Sequence, residues 1–171
     1  MKITSRLICS LIICILYIPV GDSAVAQQYP MKPVNLIVGW PPGGGADIVA
    51  RTLGHKLSEN WGQPIVVINR PGADNIIAYD SVARSAPDGY TLLLVTTEFA
   101  INPSVHPKLP YDAVRDFAAV APAASAPYIL VVHPSVPVRS AQELIAFAKS
   151  RPGQLNFASS GASVRLAAVL F

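Results

Sequence analysis

The sequence is poor in cysteine and in clusters of side chains that bind metals or catalyse reactions. Its 171 residues include two cysteines, Cys9 and Cys14, and three histidines. Both cysteines lie in an N-terminal segment expected to be removed, which excludes disulfides and thiolate chemistry from the rest of the chain. His55 falls in a predicted helix, and His106 and His133 each precede a proline. None has the spacing to another ligand that a metal site requires, so no metal, cofactor or catalytic set is predicted.

Long runs of one charge are also absent. Thirteen lysines and arginines stand against ten aspartates and glutamates, a net charge of +3 at pH 7, and no basic run occurs. A nucleic-acid-binding surface would need clustered basic residues. Nucleic acid is therefore excluded as a partner.

The N-terminal segment has the organisation of a cleaved signal peptide. Lys2 and Arg6 give it a positive start, and the apolar run from Leu7 to Val20 is nearer the core of a signal peptide than the ~20 residues of a spanning helix. Ala24-Val25-Ala26 has the small-x-small pattern of a cleavage site. We expect residues 1–26 to direct the chain into the secretory pathway and to be removed; a membrane anchor is the competing interpretation.

Apolar runs then alternate with helical patterns, the order typical of an α/β protein. Strands are predicted at residues 34–38, 65–68 and 90–95, and helices at 47–60 and 76–85. This succession implies a parallel sheet with right-handed crossovers. Further strands are predicted at 117–120, 128–132 and 155–158, with helices at 141–150 and from 164 onward. Ser140, with Glu143 three residues on, is the expected N-cap of the helix at 141–150.

A glycine-rich loop after the first predicted strand is the first candidate binding site. It runs from Trp40 through Gly43, Gly44 and Gly45 to Asp47. Glycines let a ligand approach the backbone, and the free N–H groups of the following helix suit a carboxylate or phosphate. The loop lacks the fingerprints of nucleotide-binding loops, and a tight turn that binds nothing is the alternative. We interpret Asp47 as interacting with the helix N-terminus rather than as a catalytic acid.

Two more loops follow predicted strands. Thr96-Thr97-Glu98 comes directly after the third strand, where open α/β sheets bind ligands, so Thr96 and Thr97 are placed to contribute; a turn or cap is the alternative. Ser159-Ser160-Gly161-Ala162-Ser163 leads into another helix and offers hydroxyls and N–H groups to an anion, or a simple N-cap. The order of strand, small-residue loop and helix thus occurs twice.

These segments together resemble the Bug family, the TctC-like substrate-binding components of tripartite tricarboxylate transporters. The similarity runs from Tyr29-Pro30 to Phe171. The motifs occur in the family's order and spacing: Pro41-Pro42-Gly43-Gly44-Gly45, Asn69-Arg70-Pro71-Gly72-Ala73, Ala86-Pro87-Asp88-Gly89-Tyr90, Ile101-Asn102-Pro103, Leu109-Pro110-Tyr111-Asp112 and Ala158-Ser159-Ser160-Gly161.

The resemblance implies a clamshell of two α/β lobes, as in periplasmic binding proteins. It also implies a monomer that holds a small carboxylate without chemistry and passes it to membrane permease components. The first lobe would span residues 27–125, and the second would begin at 126–171. The ligand-binding residues carried over are Trp40, Gly43, Gly44, Gly45, Thr96, Thr97, Ser159, Ser160 and Gly161. In this arrangement the Gly43–Gly45 and Ser159–Gly161 loops are opposing jaws.

The chain also departs from the family pattern. After Ala73 the family usually continues Gly-Gly-Asn-Ile-Gly, whereas Asp74-Asn75-Ile76-Ile77 is shorter and lacks those glycines. The Ser159–Gly161 loop is also shorter than usual, and Arg165 stands where a histidine is common. The family is roughly twice as long, so we expect the second lobe to be incomplete here.

Three hypotheses about function follow. The first is a periplasmic protein that binds a small carboxylate, and the second is a truncated or degenerate relative that is secreted but does not bind. A secreted hydrolase using Ser159 or Ser160 is the third. It is disfavoured because the sequence has neither a G-x-S-x-G motif nor a matching histidine and carboxylate.

Overall fold

The computed structural model describes residues 28–170. The predicted signal peptide, residues 1–26, lies outside the described residues. In chain order the elements are β1 (Val34–Val38), α1 (Gly45–Trp61), β2 (Ile65–Asn69), α2 (Ile76–Ala83), β3 (Thr91–Leu94), α3 (Glu98–Val105), α4 (Ala141–Ser150) and α5 (Ala162–Leu170). Within these residues, no helix combines the length and apolar character needed to cross a membrane.

The three strands form one parallel sheet in the order β2-β1-β3. Val34 of β1 stands opposite Ile65 of β2, and Leu36 stands opposite Leu92 of β3. The central strand has a neighbour on each side, and its valines, leucine and isoleucine are all buried. The predicted α/β fold and the parallel pairing of these strands are confirmed.

Different helices cover the two faces of β1. Leu36 and Val38 pack with Ala50 of α1. Ile37 points to the opposite face and packs with Ala78 and Tyr79 of α2. The sheet therefore lies between α1 and α2, and the loops that follow its strands emerge together at one edge.

An aromatic cluster positions α3 against α2. Tyr79, Phe99, Tyr111 and Phe117 pack together with ring centroids 5.0–6.1 Å apart, mostly edge to face. The sequence did not predict α3, because Pro103 lies inside it and removes one helical hydrogen bond. The aromatic packing compensates, and it fixes the first residue of α3, Glu98, beside the ends of the strands.

The backbone forms no strand at 117–120, 128–132 or 155–158, so these three predictions are wrong. A strand is stable only when neighbouring strands satisfy its backbone N–H and C=O groups. Between residues 28 and 170 the only sheet is β2-β1-β3, and none of the three segments pairs with it. Ile129 and Val131 are each 79% exposed. The apolar side chains of 128–132 therefore face solvent instead of lying in a sheet.

The helices of the second part agree better with the sequence. The N-cap prediction for α4 is confirmed: the Glu143 backbone N–H donates to Ser140 Oγ at 3.1 Å, and Glu143 Oε2 accepts from the Arg139 N–H. The last helix begins at Ala162, slightly before the predicted start.

Candidate ligand-binding cleft

A cleft of about 240 Å³ lies where the loops after the strands converge. Its walls come from the loop after β1, the turn after β2, the start of α3 and the loop before α5. The lining residues are Gly39, Trp40, Pro41, Pro71, Gly72, Asp74, Asn75, Glu98, Ser160 and Gly161. This position beyond the carboxyl ends of parallel strands is where α/β sheets commonly bind small molecules.

A wider groove of about 530 Å³ lies elsewhere, between Pro103 and residues 109–116. It contains none of the predicted site residues and lies away from the converging strand ends. The smaller cleft is therefore the candidate site.

The cleft brings together some of the predicted residues and leaves others aside. Trp40, Ser160 and Gly161 line it. Thr96 lies directly behind, where its hydroxyl accepts a hydrogen bond from Trp40 Nε1 at 3.3 Å. Thr97 Oγ1 lies 3.4 Å from the Tyr128 hydroxyl. The remaining four are not among the lining residues: Gly43, Gly44, Gly45 and Ser159.

Asp47 holds the glycine loop against the end of β2. Its side chain is buried, and Oδ2 accepts from the Gly43 N–H and from Arg51 Nε, both at 2.9 Å. Oδ1 accepts from Asn69 Nδ2 at 2.8 Å, and the same amide nitrogen donates to the Trp40 carbonyl. These donors, with Arg51 the strongest, hold the pKa of Asp47 well below its usual range. Asp47 lies in the first turn of α1, as expected, but its hydrogen bonds go to the preceding loop, to Arg51 and to Asn69 rather than to the free N–H groups of the helix.

Glu98 is the centre of a buried hydrogen-bond network on the other side of the cleft. Its carboxylate is 3% exposed, accepts from Thr96 Oγ1 at 2.6 Å and accepts from Ser163 Oγ at 2.5 Å. Tyr128 in turn donates its hydroxyl hydrogen to Ser163 Oγ at 2.9 Å. Burial raises the pKa of Glu98, but the hydrogen bonds from Ser163 and Thr96 outweigh it and leave the pKa below its ordinary value. Glu98 thus links the loop after β3 to the first turn of α5.

Asn75 fixes the Trp40 indole from the opposite side. With its amide oriented so that both atoms are satisfied, Asn75 Nδ2 donates to the Gly39 carbonyl at 2.5 Å and Oδ1 accepts from Trp40 Nε1 at 3.3 Å. A Cβ at Gly39 would lie 2.6 Å from Asn75 Cβ, closer than atoms can approach. Glycine at position 39 is therefore required for this contact.

The turn that carries Asn75 has an unusual backbone. Ala73, Asp74 and Asn75 have φ values of 50°, 50° and 68°, in the left-handed region that residues other than glycine rarely adopt. Asn102 Nδ2 donates to the Asp74 carbonyl at 2.9 Å, and His106 Nε2 lies 3.1 Å from Asp74 Oδ2. Contacts from α3 and its C-cap thus hold the turn in place.

Tyr79 contributes a buried hydroxyl below the cleft. Burial raises its pKa to about 12, and the neighbouring Thr96 and Asn75 side chains lower it only in part. Within the described residues, no group reaches hydrogen-bond geometry with this hydroxyl. Tyr79 is therefore a neutral core residue whose polar end faces the network.

Two contributors, Asn69 and Asn75, were not singled out from the sequence. Glu98 and Ser163 stand inside the candidate segments after β3 and before α5, but neither was predicted to contact a ligand. Asn69 ends β2, a position whose signal was used after β3 but was not extended to β2. Asn75 and Ser163 act through contacts distant in the chain. Nothing local in the sequence indicates such contacts.

Comparison with known proteins identifies consistent relatives. The family profile described as "Tripartite tricarboxylate transporter family receptor" (TctC) matches residues 49–170, more than half of the chain. Protein BugT of Bordetella pertussis (strain Tohama I) is 41% identical over 150 residues, which cover 85% of this chain and 46% of BugT. A UPF0065 protein from the tcbD-tcbE intergenic region of Pseudomonas sp. (strain P51) is 40% identical, with coverage of 84% and 44%. The chain thus spans less than half the length of these relatives.

Solved structures give the same picture. "R. palustris Rpa4515 with adipate" superposes with a TM-score of 0.74 at 36% identity, covering 78% of this chain and 45% of the other. "Structure of a periplasmic transporter" has a TM-score of 0.67 at 35% identity with the same coverage. MatC (Rpa3494) from Rhodopseudomonas palustris, solved with bound malate, matches at 34% identity with a TM-score of 0.50, covering 52% of this chain and 31% of MatC.

Proposed function

The chain belongs to the TctC family of tripartite tricarboxylate transporter receptors, and from this membership we propose that it captures a small carboxylate for such a transporter. Receptors of this family are periplasmic solute-binding proteins rather than enzymes. In the proposed role, residues 1–26 are the signal peptide and the mature chain delivers its ligand to the membrane permease components. Residues 27–125 would form one lobe and 126–171 would begin the other.

The observation that carries the proposal is the convergence of Trp40, Ser160 and Gly161 in one cleft at the strand ends. The cleft lining includes Ser160 and Gly161, directly before α5, and Pro41, four residues before α1. The first N–H groups of each helix have no partner within that helix. Such groups, together with the positive end of the helix dipole, attract a carboxylate. The relatives solved with adipate and malate, both carboxylates, support the same ligand class.

The full proposed ligand-binding set keeps the residues predicted from the sequence. Trp40 would be a wall of the site, and Thr96 and Thr97 would contribute from the loop after β3. Gly43, Gly44 and Gly45 would form one jaw and Ser159, Ser160 and Gly161 the other. The glycine loop lies beside the cleft lining, so its part in binding requires the carboxylate to reach past Pro41.

The hydrolase hypothesis has no support in the geometry. Among residues 28–170, no histidine hydrogen-bonds to Ser159 or Ser160. The imidazole of His133 contacts Ser135, and that of His106 contacts Asp74. A serine nucleophile needs an adjacent base to activate it.

A second candidate is a family member that is secreted without binding a ligand. The observation in its favour is the exposure of the apolar stretch at 128–132, where Tyr128 is 59% exposed and Leu130 also 59%. Exposed apolar surface of this kind is expected where a partner surface is needed. Direct binding measurements on the chain distinguish the two candidates.

The test is a thermal-shift screen of the purified chain against small mono-, di- and tricarboxylates. We expect a cooperative melt whose midpoint rises with at least one acid, because a ligand stabilises only a state that binds it. A cooperative melt that no acid shifts would favour the non-binding candidate.

The Gly44→Val variant tests the part of the glycine loop. A Cβ at Gly44 meets only the Pro41 carbonyl, at an ordinary 3.4 Å, so the added side chain is tolerated by the fold. We expect the unliganded midpoint to stay within a few degrees of wild type and the ligand-induced shift to fall at least by half, with Gly44→Ala intermediate. Unchanged shifts in both variants would remove the loop from the site.

A further inference from the structure

Glu98 already supplies a carboxylate at the N-terminus of α5. Its Oε1 accepts from the Ser163 hydroxyl, and the Ser163 backbone N–H also lowers the pKa of Glu98. A Cβ added at Gly161 would lie 2.7 Å from the same oxygen. These hydroxyl and N–H groups are what a helix N-terminus offers to an anion. Glu98 therefore fills the position in which the Ser159–Gly161 loop would hold a ligand carboxylate.

The charge on Glu98 has no positive partner in the part of the chain that the structure describes. None of the ion pairs between residues 28 and 170 includes it, although the residue is only 3% exposed. Buried charges in proteins are normally paired. Hydrogen bonds from Thr96 and Ser163 stabilise the ionised form, but they leave the negative charge in the cleft wall uncompensated.

The rest of the cleft lining also favours a cation over an anion. Asp74 is a second acid whose Oδ2 lies 3.1 Å from His106 Nε2, and the lining itself contains no lysine, arginine or histidine. The Trp40 indole, held between Thr96 and Asn75, adds an aromatic face of the kind that attracts cations. A second ligand carboxylate would meet the carboxylates of Glu98 and Asp74 here and no cationic side chain among the lining residues. An ammonium group would meet favourable charges and an aromatic ring.

We propose that Glu98 is a specificity-determining residue that takes the place of one ligand carboxylate. The cleft then selects a small monocarboxylate whose other end carries an ammonium group, in preference to the dicarboxylate of the same length. The ligand carboxylate lies toward the N-terminus of α1, and its ammonium group lies toward Glu98 and Asp74. This inference rests on the proposed function of carboxylate capture.

Calorimetric titration with matched ligands tests the inference. The probes are two pairs of equal length, 4-aminobutyrate with succinate and 6-aminohexanoate with adipate. For at least one pair, we expect wild-type chain to bind the amino acid at least tenfold more tightly than the dicarboxylate. Glu98→Gln removes the charge but keeps side-chain size, and it should reduce that ratio at least tenfold. Glu59→Gln, the same substitution at an exposed site on α1, should leave the ratio unchanged.

The outcomes separate the two proposals. A wild-type chain that binds the dicarboxylate as tightly as the amino acid overturns the inference but supports carboxylate capture. A ratio of affinities that Glu98→Gln leaves unchanged also overturns the inference and supports carboxylate capture. A chain that binds none of the four probes overturns the inference, and one that also responds to no acid of the thermal-shift panel overturns both proposals.

A second variant covers the case in which Glu98→Gln fails to fold. Asp74→Asn removes the other carboxylate of the lining, and asparagine tolerates the left-handed backbone at this position. It should also lower the ratio of amino acid to dicarboxylate affinity, by a smaller factor because Asp74 is less buried than Glu98. An unchanged ratio in Asp74→Asn, with Glu98→Gln unfolded, counts against the proposal.

Discussion

Asp47 and Glu98 are two buried carboxylates with different tasks. Asp47 faces Arg51 and two neutral donors, so its charge is matched and it serves to fasten the glycine loop. Glu98 receives only hydroxyl and backbone donors and has no countercharge within residues 28–170. A matched charge stabilises the fold, whereas an unmatched one is free to act on a ligand.

The pKa of Asp47 leads to a prediction about stability and pH. Because its folded pKa lies below the ordinary value of 3.8, ionised Asp47 stabilises the fold at every pH above that value. This contribution is lost as the pH falls through the lower folded pKa. We expect Asp47→Asn to lower the melting temperature at pH 7, with the difference from wild type shrinking below about pH 4.

Melting curves of both proteins between pH 7 and pH 2.5 check this. Glu59→Gln, on the exposed side of the same helix, should track wild type across the range. A difference between Asp47→Asn and wild type that is independent of pH would contradict the assigned role.

At the scale of elements, the sequence predicts best where a pattern repeats locally. β1, α1 and α4 follow from apolar periodicity, from Gly62 as a left-handed helix stop and from the Ser140 cap. The pattern fails where the outcome depends on distant contacts. Residues 128–132 have strand composition but no strand to pair with, and α3 forms despite Pro103 because Phe99 packs into the aromatic cluster.

The same limit applies to the cleft. Trp40, Ser160 and Gly161 could be predicted because each follows a strand or precedes a helix in a small-residue loop. The link from Glu98 to Ser163 spans 65 positions in the chain. A contact between residues so far apart in the chain cannot be predicted from a local sequence pattern.

The turn between β2 and α2 stores strain that a substitution can relieve. Alanine in the left-handed region costs roughly 1–2 kcal/mol. Glycine avoids this cost, but it loses more backbone entropy on folding, which offsets part of the stabilisation. We expect Ala73→Gly to stabilise the chain by about 0.5–1 kcal/mol, measured by chemical denaturation.

Asn75→Gly is the matched comparison in the same turn. It relieves a smaller backbone cost, because asparagine tolerates the left-handed region, and it removes the amide that holds Gly39 and Trp40. This variant should be destabilised. Equal stabilisation by both substitutions would mean that the Asn75 amide contributes nothing.

At the scale of the whole molecule, order is unevenly distributed. The sheet with α1, α2 and the aromatic cluster contains the buried core. Residues 118–132 donate no backbone hydrogen bond and are largely exposed. Hydrogen bonds join the later part of the chain to the cleft: Tyr128 donates to Ser163, and Ser163 donates to Glu98 in the cleft wall.

Hydrogen exchange should reproduce this division. Amides of β1 are expected to exchange slowest, and those of residues 118–132 close to the rate of an unfolded chain, because local protection requires a hydrogen bond to be broken. Mass spectrometry of peptides from both regions measures the difference. Protection of 128–132 equal to that of β1 would show that this segment is paired in solution, for example with a second copy of the chain.

The position of the Trp40 indole has an optical consequence. Its N–H lies between Thr96 and Asn75 at the cleft wall, whereas the other tryptophan, Trp61, packs against Tyr29 at the far end of α1. The two chromophores therefore occupy separate surroundings, and only one borders the space in which a ligand would lie. Replacing Trp61 with phenylalanine would leave one tryptophan, so that emission excited selectively from indole comes from the cleft wall alone and the protein carries its own reporter of occupancy.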